Sequence, residues 1–273
     1  MRIAITGAAG KMGIPLVQLA LDAGHSVVQI DRIPMPGQPR PRPALEEHVF
    51  DVTDYSALVS ALQGCDAVIH TAAFVQPWAA PEPEVHNANV VGSYNVLAAA
   101  EANGIKRVCL SSSVNAIGAF YSAAPRYDYF PVDEEHPCYA EDAYSLSKWA
   151  AEEQARAFCR REPGMSVLSL RLHRLVDEAQ LQTWLEQSTE RSDQDRKDLW
   201  GYTSMRMAVE AALNAVVRDF VGAEVVYVVA DDTWCSVDSD QLAKAHYPDV
   251  PMRQPMEGRR SFYDSAKYKK LLA

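Results

Sequence analysis

No stretch of this chain approaches the roughly 18 consecutive apolar residues that a membrane-spanning helix needs. The opening MRIAITGAAGKMG is broken by glycine before a secretory apolar segment can build. A soluble, cytoplasmic protein is expected. Positive charge is scarce too: 26 Lys and Arg stand against 36 Asp and Glu, a formal net charge of −10. Phosphate backbones and anionic membranes demand clustered cations, so neither nucleic acid nor a membrane is an expected partner. The five cysteines, Cys65, Cys109, Cys138, Cys159 and Cys235, are odd in number and lack CxxC spacing. That fits a reducing compartment and no disulfide framework. The seven histidines contain no HExxH pair, and no metal site is expected.

What is present is apolar substance in short pieces. At 273 residues and 48% hydrophobic content the chain can bury a large core. β-branched runs alternate with helical patterns, the order of a parallel sheet covered by helices on both faces. The pattern predicts strands at Arg2 to Thr6, Ser26 to Asp31, Glu47 to Asp51, Ala67 to Thr71, Arg107 to Ser111, Ser166 to Leu172 and Glu224 to Ala230. Helices are predicted at Lys11 to Ala23, Ser56 to Leu62, Val85 to Asn103, Asp142 to Arg161 and Ser204 to Phe220. Beyond Leu172 the alternation loosens. Two proline-punctuated stretches, 32–43 and 120–142, read as long loops, and such loops at the carboxyl ends of strands are where open α/β sheets bind ligands.

TGAAGKMG places Gly7, Gly10 and Gly13 directly after a strand and at the opening of a helix. Glycine there permits a tight turn and close backbone approach to a pyrophosphate, and the helix N-terminus favours the phosphate charge. The next strand ends on Asp31, where a carboxylate can accept from adenosine ribose hydroxyls and repel a 2′-phosphate, favouring NAD over NADP. Arg32 beside it can pair with that phosphate or stack on adenine, which keeps NADP open. Asp51 and Val52 end another strand, placed for an adenine edge and face; Asp51 serves equally as a helix cap.

In YSLSK, Tyr144 and Lys148 are four residues apart and so share a helix face, which Ala151 and Ala155 continue. An ammonium near a phenol lowers its pKa, by about 1–3 units for a close pair, toward a value useful for proton exchange with an alcohol or carbonyl. RVCLSSSVNAIG carries Ser111, Ser112 and Ser113 at the carboxyl end of a strand, where a hydroxyl can meet a substrate oxygen.

Taken together with VIHTAA, NVVGSYNVLAAA and LSLRL in order along the chain, these motifs resemble the extended short-chain dehydrogenase/reductases, also called the NAD-dependent epimerase/dehydratase family. The resemblance implies a Rossmann-like doubly wound α/β fold. Residues 1–172 would form the NAD(P)-binding domain with the catalytic groups, and 173–273 a small substrate-binding portion that also returns a strand and helix to the core. It selects Ser113, five residues before Gly118, as the catalytic hydroxyl, Tyr144 as general acid/base, Lys148 as its tuner and ribose holder, and Asn89 as the asparagine organising the site. Gly7, Gly10, Lys11, Met12 and Gly13 would form the phosphate turn, while Ala72 and Ala73 leave room for the cofactor. His70 is expected to be a hydrogen-bonded histidine near the core. The family's paired helices imply a homodimer.

The short C-terminal portion points to a small sugar-like substrate without a nucleotide handle. Compact uronate dehydrogenases are similar in order and size, which puts Arg196 at a carboxylate-binding position, with Ser113 and Asn115 as further substrate contacts. Val75, Val114 and Asn115 depart from that group's pattern, standing where a serine and an Asn-His pair would be. The leading expectation is an NAD-dependent oxidoreductase. The alternatives are an epimerase or dehydratase using NAD transiently, and a non-catalytic NAD(P)-sensing binder.

Overall fold

A computed structural model describes residues 1–36, 43–186 and 193–272. In chain order the elements are β1 (Arg2–Thr6), α1 (Gly13–Asp22), β2 (Ser26–Asp31), β3 (Leu45–Val49), α2 (Tyr55–Ala61), β4 (Ala67–His70), α3 (Glu82–Ala102) and β5 (Arg107–Ser113). After a short 3-10 turn at Val114–Ile117 come α4 (Ala143–Arg161), β6 (Ser166–Leu172), β7 (Leu175–Val176), α5 (Glu178–Glu186) and α6 (Asp193–Lys197). The chain continues with β8 (Thr203–Ser204), α7 (Met205–Val217), β9 (Gly222–Val228), α8 (Ser239–His246) and α9 (Ala266–Leu272).

Seven strands form a parallel sheet in the order β3-β2-β1-β4-β5-β6-β9. The strands are apolar on both faces because helices cover both: every residue of β6 is buried. Sequence order reverses between β1 and β4, and the crevice beyond their carboxyl ends is where such sheets hold ligands. On one face Ile3, Ile5, Ile69, Leu168 and Val226 pack against α1 and α7. On the other, Ala4, Val28, Val68 and Val108 meet Leu58, Val96 and Phe158 of α2, α3 and α4. A third core, rich in aromatics, joins Tyr127, Phe130 and Val132 of the 120–142 loop to Trp200, Tyr227, Phe262 and Tyr263.

β1, β2 and β6 occupy the predicted residues, while β3 and β9 begin and end two residues earlier than predicted. Pairing fixes the β3 register at Val27 opposite Leu45, so Phe50 and Asp51 lie past its end. α3 starts at Glu82, ahead of the predicted Val85, because Pro83 falls in its first turn, where no backbone N–H is needed. The small β7–β8 pair and helices α5, α6, α8 and α9 lie in the part where the alternation loosens and are not predicted. Of the proline-rich stretch 32–43, residues 37–42 lie outside the described residues, as do 187–192.

Candidate active site

The glycine turn is shaped by crowding. Gly7 has φ +70°, and a Cβ there would lie 2.5 Å from the Ala72 backbone nitrogen. A Cβ on Gly13 would sit 2.1 Å from the Gly7 carbonyl oxygen. Both positions therefore exclude any side chain, Gly7 by conformation as well as space. The Gly10 N–H donates to the Gly7 carbonyl at 3.0 Å and closes the turn.

Beyond it opens a cleft of about 300 Å³, lined by Gly7, Gly10, Lys11, Asp31, Arg32, Asp51, Val52, Ala72, Ala73 and Asn89 among others. Nine of the expected cofactor contacts thus converge on one cleft. Four of the expected contacts do not line it: Met12 is buried in the core beneath α1, Gly13 is spent on close packing against Gly7, and Tyr144 and Lys148 are buried on α4. The Lys11 ammonium donates to the Leu175 carbonyl at 2.7 Å, which ties the turn to β7. At the far end Asp31 accepts from Ala9 N–H at 2.9 Å, so its carboxylate is fixed at the mouth of β2. The Arg32 guanidinium lies 5.3 Å from the Phe74 ring centre. Asp51 is not the helix cap; it closes a turn by accepting from the Thr53 N–H and hydroxyl at 2.9 and 2.8 Å, and Asp54 caps α2.

His70 is buried, with Nδ1 2.7 Å from the Thr6 hydroxyl. Burial, aided by the Lys148 charge, holds its pKa down at about 3, so the imidazole is neutral. Asn89 bridges two elements: it accepts from Phe74 N–H (2.8 Å) and donates to the Phe74 carbonyl (3.0 Å) and the Ser147 hydroxyl (3.0 Å). It thereby locks the loop after β4 onto α4.

α4 starts where Asp142 caps it, accepting from Tyr144 and Ser145 N–H at 3.0 and 2.9 Å, so Tyr144 stands in the first turn. Ser113, the last residue of β5, accepts from the Asn115 N–H at 3.1 Å, and its hydroxyl works against the effect of burial on the Tyr144 phenol. Ser113, Asn115 and Tyr144 are all buried. The Lys148 ammonium lies 5.7 Å from the Tyr144 ring centre and donates to the Ser111 carbonyl at 2.7 Å. The expected lowering of the phenol pKa is not what this arrangement yields. Burial raises Tyr144, and the Ser113 hydrogen bond opposes that only in part. Burial also lowers Lys148 to about 8, with Glu152 resisting the shift.

Several groups escaped the sequence-level pattern. Glu152 and Arg171 form an ion pair with both side chains fully buried, through Arg171 Nε and Nη2 at 3.0 and 2.8 Å. Ser112 donates to the same carboxylate at 2.6 Å, and Tyr227 accepts from Arg171 at 3.1 Å. The lone charge inside the apolar run LSLRL was the available signal. Tyr121 covers Tyr144: its ring meets the Tyr144 ring edge-on at 5.5 Å, its hydroxyl donates to the Val75 carbonyl at 3.3 Å, and Trp78 packs on it at 5.2 Å. Arg196 lies beside Tyr247, whose hydroxyl donates to the Arg196 carbonyl at 2.7 Å.

A doubly wound sheet with a glycine turn, an acid at the end of β2 and a buried Ser, Tyr and Lys group defines a dinucleotide-dependent enzyme class. The chain belongs to the NAD dependent epimerase/dehydratase family, whose model matches residues 3–183. It is 34% identical over 226 residues to the L-arabinose 1-dehydrogenase (NAD(P)(+)) of Haloferax volcanii, covering 78% of this chain and 84% of that one. It is 27% identical over 254 residues to the uronate dehydrogenase of Pseudomonas syringae pv. tomato, covering 90% and 80%. In fold it matches a short-chain dehydrogenase/reductase superfamily protein from Agrobacterium tumefaciens solved with NAD, at TM-score 0.71 and 22% identity, over 100% of this chain and 91% of that one.

Proposed function

We propose that this protein is an NAD-dependent oxidoreductase of the extended short-chain type, acting on a small sugar-like alcohol or carbonyl compound. The observation that carries it is the burial together of Ser113 at the end of β5 and Tyr144 at the start of α4, with the buried Lys148 ammonium 5.7 Å from the Tyr144 ring centre on the same helix face. The cleft suits the cofactor, because the residues that would hold it are gathered there and the turn at Gly7 leaves no room for a side chain. Bound NAD would supply or accept the hydride. Asp31 favours NAD over NADP by its charge.

Ser113 orients the substrate oxygen and Tyr144 exchanges a proton with it at Oη. The phenol is held in its protonated form, so it is set to donate to a carbonyl. Asn89 keeps α4 in register with the loop beneath the cofactor. The sugar dehydrogenases among its relatives support a small sugar substrate, and the segment after Leu172 supplies the substrate side. A homodimer through α3 and α4 is supported by exposed Val91, Tyr94 and Leu146 on those helices. The free cysteines suit a cytoplasmic location.

The test is a screen of aldoses, uronic acids, ketones and aldehydes with NAD(H) and NADP(H), following reduced-cofactor absorbance. Turnover is expected with NAD, falling at least about 100-fold in Tyr144→Phe with cofactor affinity retained. Product formed without net NADH would instead mark an epimerase or dehydratase, and Tyr144→Phe at full activity would overturn the proton-transfer role.

A further inference from the structure

Two large apolar side chains stand exposed beside the cleft: Val75, at 61%, and Trp78, at 66%. Val75 lines the cleft. The residue before it, Phe74, has its backbone N–H and carbonyl both held by Asn89, so the loop that carries the pair is fixed at its root. Trp78 sets its ring against Tyr121 at 5.2 Å and 86°, and Tyr121 sets its own against Tyr144 at 5.5 Å and 84°. Tyr121 is pinned by two further contacts, its hydroxyl on the Val75 carbonyl at 3.3 Å and the Phe120 ring at 5.1 Å. A single residue thus bridges the cleft wall and the Tyr144 phenol, and it touches both exposed side chains' segments.

Exposed apolar side chains scattered singly need no explanation, but a group continuous with a catalytic cleft marks a place where a ligand is held. A substrate carbon placed between a nicotinamide and Tyr144 brings the rest of the substrate past Tyr121, because Tyr121 covers that phenol. Three features set what it meets there. The Tyr121 hydroxyl is committed to the Val75 carbonyl, which leaves the ring's carbon surface for contact. The Trp78 and Tyr121 rings stand perpendicular and form an apolar corner. The local charge is negative on balance: burial first, then Asp198 and Asp142, push the Tyr121 phenol up to about 12 against the opposing Arg174, and Asp142 acts on Tyr144 in the same sense. A carboxylate seated in the corner would lose its water and meet repulsion.

We propose that Val75, Trp78 and Tyr121 form an apolar subsite that seats an uncharged, apolar substituent of the substrate ring, so that the enzyme favours deoxygenated sugars over their hydroxylated counterparts and over sugar acids. This deepens the proposed sugar oxidoreductase and rests on that reading for its kinetic test, though not for its binding test. Trp78 is the specificity-determining residue of the three: Tyr121 is held in place by its neighbours, whereas the exposed indole is the largest apolar surface the corner offers. A methyl group in place of a hydroxymethyl, in a subsite open on one side, is worth about 10-fold, the lower end of what apolar contact discriminates.

The experiment compares kcat/KM for fucose with galactose and for rhamnose with mannose, each pair differing by one hydroxyl, with galacturonate as the acid, in wild type, Trp78→Phe and Trp78→Ser. The 6-deoxy member of at least one pair is expected to lead by about 10-fold in wild type, and galacturonate to be the poorest substrate. In Trp78→Ser the lead is expected to vanish, the loss falling on KM rather than kcat, and Trp78→Phe to restore most of it. Trp78 is exposed, so its replacement leaves the core intact. No lead in wild type, a lead that survives in Trp78→Ser, or galacturonate turned over faster than galactose would each overturn the subsite. So would a change of elution volume in Trp78→Ser with the ratio unchanged, which assigns the patch to contact between copies. A second readout needs no turnover: with NAD present, the 6-deoxy sugar is expected to raise the melting temperature of Tyr144→Phe protein, and not that of Tyr144→Phe/Trp78→Ser. Stabilisation that depends on Trp78, without NADH from any sugar, would sink the oxidoreductase proposal and leave the subsite standing. Sugar oxidation indifferent to Trp78 would do the reverse.

Discussion

His70 shows how a single residue's environment decides its chemistry. In VIHTAA it is merely a histidine at a strand end; in the fold it is buried against Thr6 with its pKa near 3. Its folded pKa is depressed below the ordinary 6.5, so between those values the unfolded chain binds a proton that the native state does not. The contribution to stability is therefore full above pH 6.5 and is lost as pH falls toward 3, at about 1.4 kcal/mol for each pH unit within that window. Denaturant unfolding of His70→Asn should show a shallower decline over this range than wild type, although it starts lower for lack of the Thr6 contact. Parallel curves would assign the acid sensitivity to other groups, of which His136, also lowered by burial, is the nearest in kind. Tyr144 and Lys148 could be singled out by four-residue spacing, and Ser113 by its place before Gly118. Their pKa directions could not, because burial sets them and burial comes from loops far away in sequence.

At the scale of elements, α4 is tied to the sheet by a charge pair that no helical pattern displays. Glu152 sits one turn beyond Lys148 and meets Arg171 near the carboxyl end of β6, with Ser112 of β5 completing the carboxylate's bonds. β5, which carries Ser113, and α4, which carries Tyr144 and Lys148, are thereby held together across β6. Glu152→Gln leaves a guanidinium buried with its charge unmatched and should cost about 3–5 kcal/mol. Replacing both partners with well-packed apolar residues should cost far less, by the same reasoning. Urea unfolding of the single and double variants measures the difference, and a single variant as stable as the double would remove the pair from the list of structural anchors. The βα alternation up to Leu172 was readable because each element had its own period and its own turn. Helices α5, α6, α8 and α9 were not: they are short, from five to nine residues, and α5 buries no residue fully, so little periodicity is impressed on them.

At the scale of the molecule, the chain beyond Leu172 is woven into the same sheet and core as the residues before it. β9 supplies the sheet's last strand beside β6, and α7 buries Ala208, Ala211, Ala212 and Val216 in the core that α1 also covers. A fragment comprising 1–172 should accordingly lack a cooperative thermal transition by circular dichroism and elute as aggregate in gel filtration, because β6 becomes an exposed edge. A monomeric fragment with a sharp melt would show instead that the first half folds alone. The long loop 120–142 belongs to the same whole: Phe130 and Val132 bridge to Met252 and Tyr263, which couples the wall over Tyr144 to the C-terminal segment.

By itself the sequence determined the class of sheet, the turn at Gly7, the acid at Asp31 and the four-residue spacing of Tyr144 and Lys148 on one helix face. These are local features whose physical signal, a strand run, a positive φ or a helical period, is complete within a few residues. Only the tertiary structure decided that burial raises the Tyr144 phenol and that Tyr121 covers it. Each of those depends on desolvation and contact between segments distant in sequence, and no local pattern carries that information.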